Sequence, residues 1–312
     1  MTIFFLIIAL IVLFCLMGRV ADIAVVSVKR IAHRLGVPLL FAGVLLGLFT
    51  SSPEFTVGIS SMFLQNVPDI GIGDLLGGTI VVFGLILGLS LLFEKKIKTD
   101  GNLAGIFPIM LVVFLPFLVF LPTGNLGLAG GVVLIAGYCL ALWKVYKLDG
   151  KIFKHKGDKN DKPLGHEVLT IVISLIAMLV IAELTVRTAV SLLTILGVAP
   201  FVIGLFVFPI GTNLPELIIV FVAWKKHIRD LSFGNLLGSA MANTPILGFF
   251  AIMHPLHVEI NNSYLFLLFS NAILLLLVGW FYETDKKLTR NEGMALIALY
   301  AVFVVTELYL MR

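Results

Sequence analysis

Two strings decide the architecture: Phe49-Thr50-Ser51-Ser52-Pro53-Glu54 and Gly211-Thr212-Asn213-Leu214-Pro215-Glu216. Each lies inside a long apolar run and pairs a proline with a carboxylate. A proline within a helix removes one amide donor and clashes with the carbonyl four residues earlier, so the carbonyls of Phe49 and Gly211 are expected to be freed. A freed carbonyl in hydrocarbon needs a partner, and a bound cation can serve. Thr50 and Glu54 are four apart, as are Thr212 and Glu216, which puts each pair on one helix face. The plain alternative is that both acids are protonated or hydrogen-bonded structural residues. Two costly intramembrane carboxylates in matching positions beside prolines point instead to an ion site.

The strings match because the chain repeats itself. Ala21-Asp22 aligns with Ala182-Glu183 and Leu35-Gly36-Val37 with Leu196-Gly197-Val198, at an offset of 161. With one residue of slack Pro38 meets Pro200, and Thr50, Pro53 and Glu54 meet Thr212, Pro215 and Glu216. The offset returns to 161 where Gly73-Asp74-Leu75-Leu76-Gly77 meets Gly234-Asn235-Leu236-Leu237-Gly238. Matches in constant order with only single-residue shifts imply duplication.

Composition sets the environment. Of 312 residues 60% are hydrophobic and 13% charged, against roughly 25% charged in a soluble protein; the mean hydropathy is +1.11. This excludes a soluble enzyme or a single-anchor receptor, and the continuous apolar runs exclude a β-barrel, whose strands alternate. The net charge of +4 comes from short loops rather than a basic domain, so no nucleic-acid partner is expected. Cys15 and Cys139 lie in apolar runs and form no disulfide framework or zinc motif. The N-terminus, apolar from Ile3 without a basic lead, reads as a first span rather than a signal peptide.

Apolar runs give ten spans, at 2–26, 38–62, 71–93, 103–121, 124–143, 166–190, 200–224, 231–253, 262–282 and 291–311. The expected fold is an all-α membrane protein of ten transmembrane helices in two inverted five-helix repeats, 1–143 and 166–312, joined by a flexible polar loop at 144–165. Nineteen of the 22 Lys and Arg fall in five alternate loops, including Lys29-Arg30, Lys95-Lys96, Lys225-Lys226 and Lys286-Lys287, and the other four loops have none. The positive-inside rule makes the basic loops cytoplasmic and both termini external, most simply in the plasma membrane. An odd number of spans per repeat inverts the second half relative to the first. Such repeats typify secondary transporters, with sites near the bilayer midplane.

Further polar residues extend the candidate site. Span 8 carries Asn235, Ser239 and Asn243 at intervals of four, either a ligand stripe or an interhelical hydrogen-bond seam. Gly73 with Gly77, and Gly234 with Gly238, read as close-packing pairs. Two half-sites brought together would offer two carboxylates, two hydroxyls and several carbonyls; such hard oxygens suit Ca²⁺, and fewer of them Na⁺. Weaker candidates are His166-Glu167-Val168-Leu169-Thr170, which lacks the second His of a zinc-protease helix, and His254 with His257, two loop histidines without a further ligand. Arg19, Asp22, Glu183 and Arg187 read as ion-paired or snorkelling residues.

The GTNLPE and GNLLGSAMAN strings resemble the two signature segments of the α-repeats in the cation/calcium antiporter superfamily, closest to its sodium/calcium exchanger branch. The resemblance spans both halves, though the first is degenerate. It implies that Glu54, Glu216, Thr50, Thr212 and nearby carbonyls bind the transported cations, that Ser239 and Asn243 contribute to flanking Na⁺ sites, and that the long first and sixth spans slide across a core of the other eight. Ser51 and Asn213, the latter where Ser is commoner, join that ligand set. The first repeat departs from the family, with Phe49 for the usual Gly and with Asp74, Gly78 and Val82 along span 3. Asp74 is either a third site acid or an outward-facing cap. The expected function is secondary antiport of Ca²⁺ against Na⁺, not enzymatic, with no cofactor. The alternatives are a cation/proton exchanger, a transport-inactive scaffold or sensor, and an intramembrane hydrolase, for which no nucleophile motif is present.

The topology is open to direct test. Single cysteines at Lys156 and His257 in a cysteine-free background are expected to label from opposite sides of the membrane, and labelling from one side would remove the inverted arrangement.

Overall fold

The computed structural model describes residues 2–35, 47–94, 96–98, 103–148, 164–197, 199–214, 216–217, 220 and 229–310. The chain is nearly all helical: α1 (Thr2–Leu35), α2 (Ser52–Ile59), α3 (Pro68–Ile80), α4 (Leu87–Glu94), α5 (Leu103–Phe120), α6 (Leu128–Leu148), α7 (Leu164–Leu196), α8 (Pro200–Thr212), α9 (Arg229–Met253), α10 (Asn262–Glu283) and α11 (Arg290–Leu310). A π-helical turn, Ser60–Leu64, extends α2, and another, Val81–Ile86, joins α3 to α4. Among the described residues seven helices are long and apolar enough to cross a membrane, with shorter apolar helices at Gly105–Phe120 and Pro200–Thr212. This is an integral, multi-pass membrane protein.

Two helices run longer than hydropathy predicts. α1 continues to Leu35 and α7 begins at Leu164 and ends at Leu196, against expected ends at 26, 166 and 190. The hydropathy signal stops at the membrane boundary, but the helices continue because they pack along each other and pair their polar ends. Arg30 Nη1 lies 3.1 Å from Glu167 Oε1, and Glu167 is buried. At about 1.5 Å per residue each exceeds the ~30 Å hydrocarbon core. Lys29 and Arg30 therefore belong to a helix, not to a loop. The linker is shorter than expected, since α6 reaches Leu148; residues 149–163, and also Pro38, Val198 and Pro215 of the repeat alignment, lie outside the described residues.

Burial separates centre from periphery. The most apolar windows of α3–α4 and α9 are 83% and 78% buried, whereas those of α1, α7 and α11 are each 22% buried. Large apolar side chains such as Phe4, Phe5, Ile173, Ile176 and Val180 cover the outer faces of α1 and α7, as expected of surfaces against lipid. The polar residues of the two strings and of span 8 lie on or beside the buried helices.

The packing comes in matched sets. α9 lies against α6 as the α3–α4 span lies against α11; α5 meets α6 as α10 meets α11; α8 packs on α3 as α2 meets α9; α7 packs on α2 as α1 meets α8. Short strands close the two ends of the molecule in the same fashion. β1 (Lys96–Lys98) pairs antiparallel with β4 (Lys287–Thr289), and β2 (Asn125–Leu126) with β3 (Leu256–His257). The first pair joins two of the basic loops, and the second joins two loops without Lys or Arg.

Glycines permit the closest crossings. A Cβ on Gly47 would stand 2.1 Å from the Gly238 carbonyl carbon and 2.2 Å from the Ser239 nitrogen. On the other side a Cβ on Gly73 would stand 2.9 Å from the Gly204 carbonyl carbon, and one on Gly77 2.6 Å from the Leu205 oxygen. Backbone cannot move aside as a flexible side chain can, so these positions fix how near the broken helices come to α9 and α3. Gly47→Ala is expected to destabilise the protein by about 1–3 kcal/mol, the usual range for overpacking, while Gly105→Ala, where nothing lies within 4 Å, is expected to be neutral. Melting temperatures in detergent check the contrast.

Candidate cation site

Both helix breaks have the same backbone. Ser51, just before α2, has φ −80° and ψ 14°; Asn213, just after α8, has φ −85° and ψ 17°. These angles fall in the sparsely allowed bridge region, and the two residues are matched by the repeat. Each side chain turns back on the chain four residues earlier. Ser51 Oγ donates to the Gly47 carbonyl (3.0 Å) and Asn213 Nδ2 to the Pro209 carbonyl (2.9 Å).

One expectation needs correction here. The Phe49 carbonyl, which loses its helical partner to Pro53, is not left without a partner, because the Ser52 hydroxyl donates to it. The hydroxyl is one residue from the proline and reaches the carbonyl at almost no entropic cost. The corresponding expectation for Gly211 depends on Pro215, outside the described residues. A similar repair acts in α5, where Pro116 deprives the Val112 carbonyl of its amide and Thr244 Oγ1 donates to it at 2.8 Å.

With the backbone repaired locally, the carboxylates remain. Glu54, Asp74 and Glu216 are each at most 1% exposed, and Glu54 faces both of the others. Asp74 is thus no outward cap: it is six residues past the start of α3 and buried, with Thr212 Oγ1 2.9 Å from its Oδ1. Glu216 Oε1 accepts from Ser239 Oγ at 2.8 Å, and Ser239 Oγ lies 3.3 Å from Ser51 Oγ. Thr212 of the second string thus serves Asp74 of the first half, while Thr50 Oγ1 donates to the Gly47 carbonyl at 2.9 Å.

Four carboxylate oxygens here have no partner and no water access: Glu54 Oε1 and Oε2, Asp74 Oδ2 and Glu216 Oε2. Both amide atoms of Asn235 are equally unpartnered. Buried carboxylates without partners are strongly unfavourable, and a cation among them supplies what the protein does not. Among the described residues no group of three or more His, Cys, Asp or Glu is set closely enough to hold a metal by itself, so hydroxyl, amide and carbonyl oxygens would have to complete any coordination shell. That mixture of hard oxygens is what Ca²⁺ and Na⁺ accept.

Residues 5–147 and 166–309 match the sodium/calcium exchanger protein family. The chain belongs to that family. Exchangers of this family are membrane transporters of inorganic cations rather than enzymes, and the bilayer is their setting. A sodium/calcium exchanger of Methanosarcina acetivorans is 28% identical, covering 99% of both chains. An uncharacterized membrane protein of Methanocaldococcus jannaschii is 29% identical over 92% of each. Among solved structures, the sodium-calcium exchanger NCX_Mj soaked with Na⁺ and without Ca²⁺ superposes with a TM-score of 0.68 at 26% identity, covering 98% of this chain and 99% of that one.

The exchanger holds several groups that its sequence did not advertise. Asn271 Nδ2 donates to Thr79 Oγ1 at 2.6 Å, tying α10 to α3. Asn243, expected as a ligand, gives its amide nitrogen to the Leu75 carbonyl across on α3 (3.0 Å). Glu183 binds Arg187 (2.6 Å), Ser60 (2.7 Å) and Gln65 (2.6 Å), joining α7 to the end of the α2 span. Thus its ion pair is structural, as expected, but reaches further than its own helix. His257 meets Asn125 Oδ1 at 2.9 Å and His254 the Pro255 carbonyl, so the loop histidines are not turned toward each other's chemistry. Apart from the i,i+4 pair of Glu183 and Arg187, these pairings do not follow from spacing, because they join residues more than fifty apart or depend on a side chain's rotamer.

Ser239 Oγ donates to Glu216 Oε1. Ser239→Ala leaves Glu216 Oε1 as a further orphan, and the loss of a hydrogen bond to a charged group is worth about 2 kcal/mol. A lower unfolding midpoint in detergent is expected for Ser239→Ala, with Ser239→Thr close to native.

Proposed function

We propose that this exchanger moves Ca²⁺ in one direction against Na⁺ in the other by alternating access, with Glu54 and Glu216 as the shared ligand pair. Thr50, Thr212, Ser51, Asn213, Asp74, Asn235, Ser239 and the surrounding carbonyls complete the oxygen set, with the Asn243 side-chain oxygen at its edge. The observation that carries this is a set of three buried carboxylates from both halves of the chain that retain four unpartnered oxygens, with Thr212 bonded to Asp74 and Ser239 to Glu216. Unloaded, the site holds like charges facing one another in a desolvated space, which opposes conversion; loaded, it is neutralised and the conversion is easier. Coupled exchange follows from that difference.

Two inverted five-helix halves, meeting between Leu148 of α6 and Leu164 of α7, suit such a cycle. The matched packing sets and the equal backbone angles at Ser51 and Asn213 support the duplication. The pairing of basic loop with basic loop through β1 and β4 supports a single cytoplasmic face, with both termini outside and the plasma membrane as the natural location.

A proton-coupled version is favoured by one observation. Asp74 adds a third carboxylate, so one Ca²⁺ leaves a formal negative charge that a Na⁺ or a proton would balance. Proteoliposomes driven by a Na⁺ gradient or by a pH gradient alone separate the two counter-ions, and absence of flux under both would favour a transport-inactive scaffold.

Glu54→Gln and Glu216→Gln test the site itself. Removing one member of a buried charged set costs about 3 kcal/mol or more, which corresponds to about a hundredfold loss of Ca²⁺ flux, with the protein still folded in the membrane. Asn235→Ala is expected to weaken flux less, because no formal charge is lost. Near-native flux in either Gln variant would show these acids to be structural.

A further inference from the structure

The two flanks of the site present dipoles of opposite sign. Positions matched by the repeat offset put Gly78 opposite Ser239, Asn213 opposite Ser51, and Val82 opposite Asn243. On the Ser239 flank the groups are oxygens: Ser239 Oγ meets Glu216 Oε1 and stands 3.3 Å from Ser51 Oγ. On the Gly78 flank they are amide nitrogens. The point a Gly78 Cβ would occupy lies 2.7 Å from Asn243 Nδ2 and 3.7 Å from Asn213 Nδ2.

Neither amide can be turned around freely. Asn243 Nδ2 faces the Leu75 carbonyl at 3.0 Å and Asn213 Nδ2 the Pro209 carbonyl at 2.9 Å. A carbonyl only accepts, so the nitrogen must be the atom that faces it. Asn243 uses one N–H on its carbonyl and has a second, Asn213 Nδ2 also stands 3.5 Å from Thr212 Oγ1, and both nitrogens stand near the same glycine. Partial positive charge in a low-dielectric space repels a cation, and repels a monovalent ion with little offsetting Coulomb gain from the acids. The Leu75 carbonyl, an oxygen that could have ligated, is already taken.

Glycine is what admits this arrangement. Any side chain at 78 would bring a Cβ to 2.7 Å from Asn243 Nδ2, so the amide would have to shift from its place against the Leu75 carbonyl. We propose that Gly78, by admitting the Asn243 amide, closes the α3 flank of the site to a monovalent cation, so that exchange carries fewer Na⁺ per Ca²⁺ than a site with oxygens on both flanks. Gly78 and Asn243 are then selectivity-determining positions, and the inference rests on the exchanger function proposed above.

Asn243→Asp tests it with little change of shape, replacing the donor beside the Leu75 carbonyl by an oxygen and so making a pair of acceptors that a cation would bridge. Gly78→Ser is the second variant, which both displaces the amide and supplies a hydroxyl. Equilibrium binding of radioactive Na⁺ to the purified full-length protein reads occupancy even where a variant transports poorly, and the reversal potential of exchange in proteoliposomes reads coupling. The expected result is a single additional Na⁺ bound, and a steeper dependence of the reversal potential on the Na⁺ gradient, in Asn243→Asp, with the same change in Gly78→Ser where it folds. Equal Na⁺ occupancy in native protein and Asn243→Asp would overturn the inference while leaving the exchanger function intact. Native protein that binds no Na⁺ and shows no Na⁺-driven Ca²⁺ flux would overturn both.

Discussion

Hydrocarbon cannot hydrogen-bond to a peptide group, and that one constraint organises the centre of this protein. A helix may break within the membrane only if each released donor and acceptor is met by the protein itself. Here the breaks at Ser51 and Asn213 are met within one turn: Ser51 and Asn213 reach the carbonyls of Gly47 and Pro209, and Ser52 reaches that of Phe49. Thr244 does the same from a neighbouring helix for the Val112 carbonyl beside Pro116. The small polar residues near the prolines thus have a structural duty before any functional one. Their hydroxyl lone pairs stay free to face an ion, since a donated proton does not use them.

The breaks would mean little without close crossing. Gly47 against Gly238 and Gly73 against Gly204 bring helix backbones nearer than any side chain would allow, and the buried Glu54, Asp74 and Glu216 lie in this closely packed centre. Close packing also excludes water, which is why four carboxylate oxygens are left without partners. Desolvation and ligand supply therefore come from the same contacts. A looser core would hydrate the acids and remove the drive to bind a cation.

Much of this was legible in the sequence because the determinants are local or periodic. Apolar run lengths marked a multi-pass membrane chain, in which seven helices among the described residues are long and apolar enough to span. A proline one residue before a glutamate, occurring twice at matched offsets, marked the neighbourhood of the breaks at Ser51 and Asn213 and two buried acids. The ends of α1 and α7 were misjudged because hydropathy reports the membrane boundary, whereas Arg30 and Glu167 extend the helices beyond it by pairing with each other. The place of Asp74 was undecided because a carboxylate near a helix start suits either a cap or a site; only the start of α3 at Pro68 and the position of Thr212 distinguish them. The Phe49 carbonyl was misassigned because the proline argument counts the lost amide and not the hydroxyl next to it. The cross-chain pairs, Asn271 with Thr79 and Asn243 with Leu75, left no trace in spacing because neither partner constrains the other's sequence neighbours.

The degenerate first repeat takes on a different meaning in three dimensions. Considered alone, Gly78 and Val82 are losses, two oxygens present in the second half as Ser239 and Asn243 and absent from the first. In the folded protein the two halves face each other, and the space given up at Gly78 is the space that Asn243 of the other half occupies. The matched crossing cannot form, because Val82 offers no amide and Ser239 leaves no gap. A change in one repeat is thus coupled to a residue kept in the other, and the site becomes polar from flank to flank while the scaffold around it stays matched. The helices pack in matched sets, and matched packing does not require that the groups set into each half be the same, as Gly78 and Ser239 differ here.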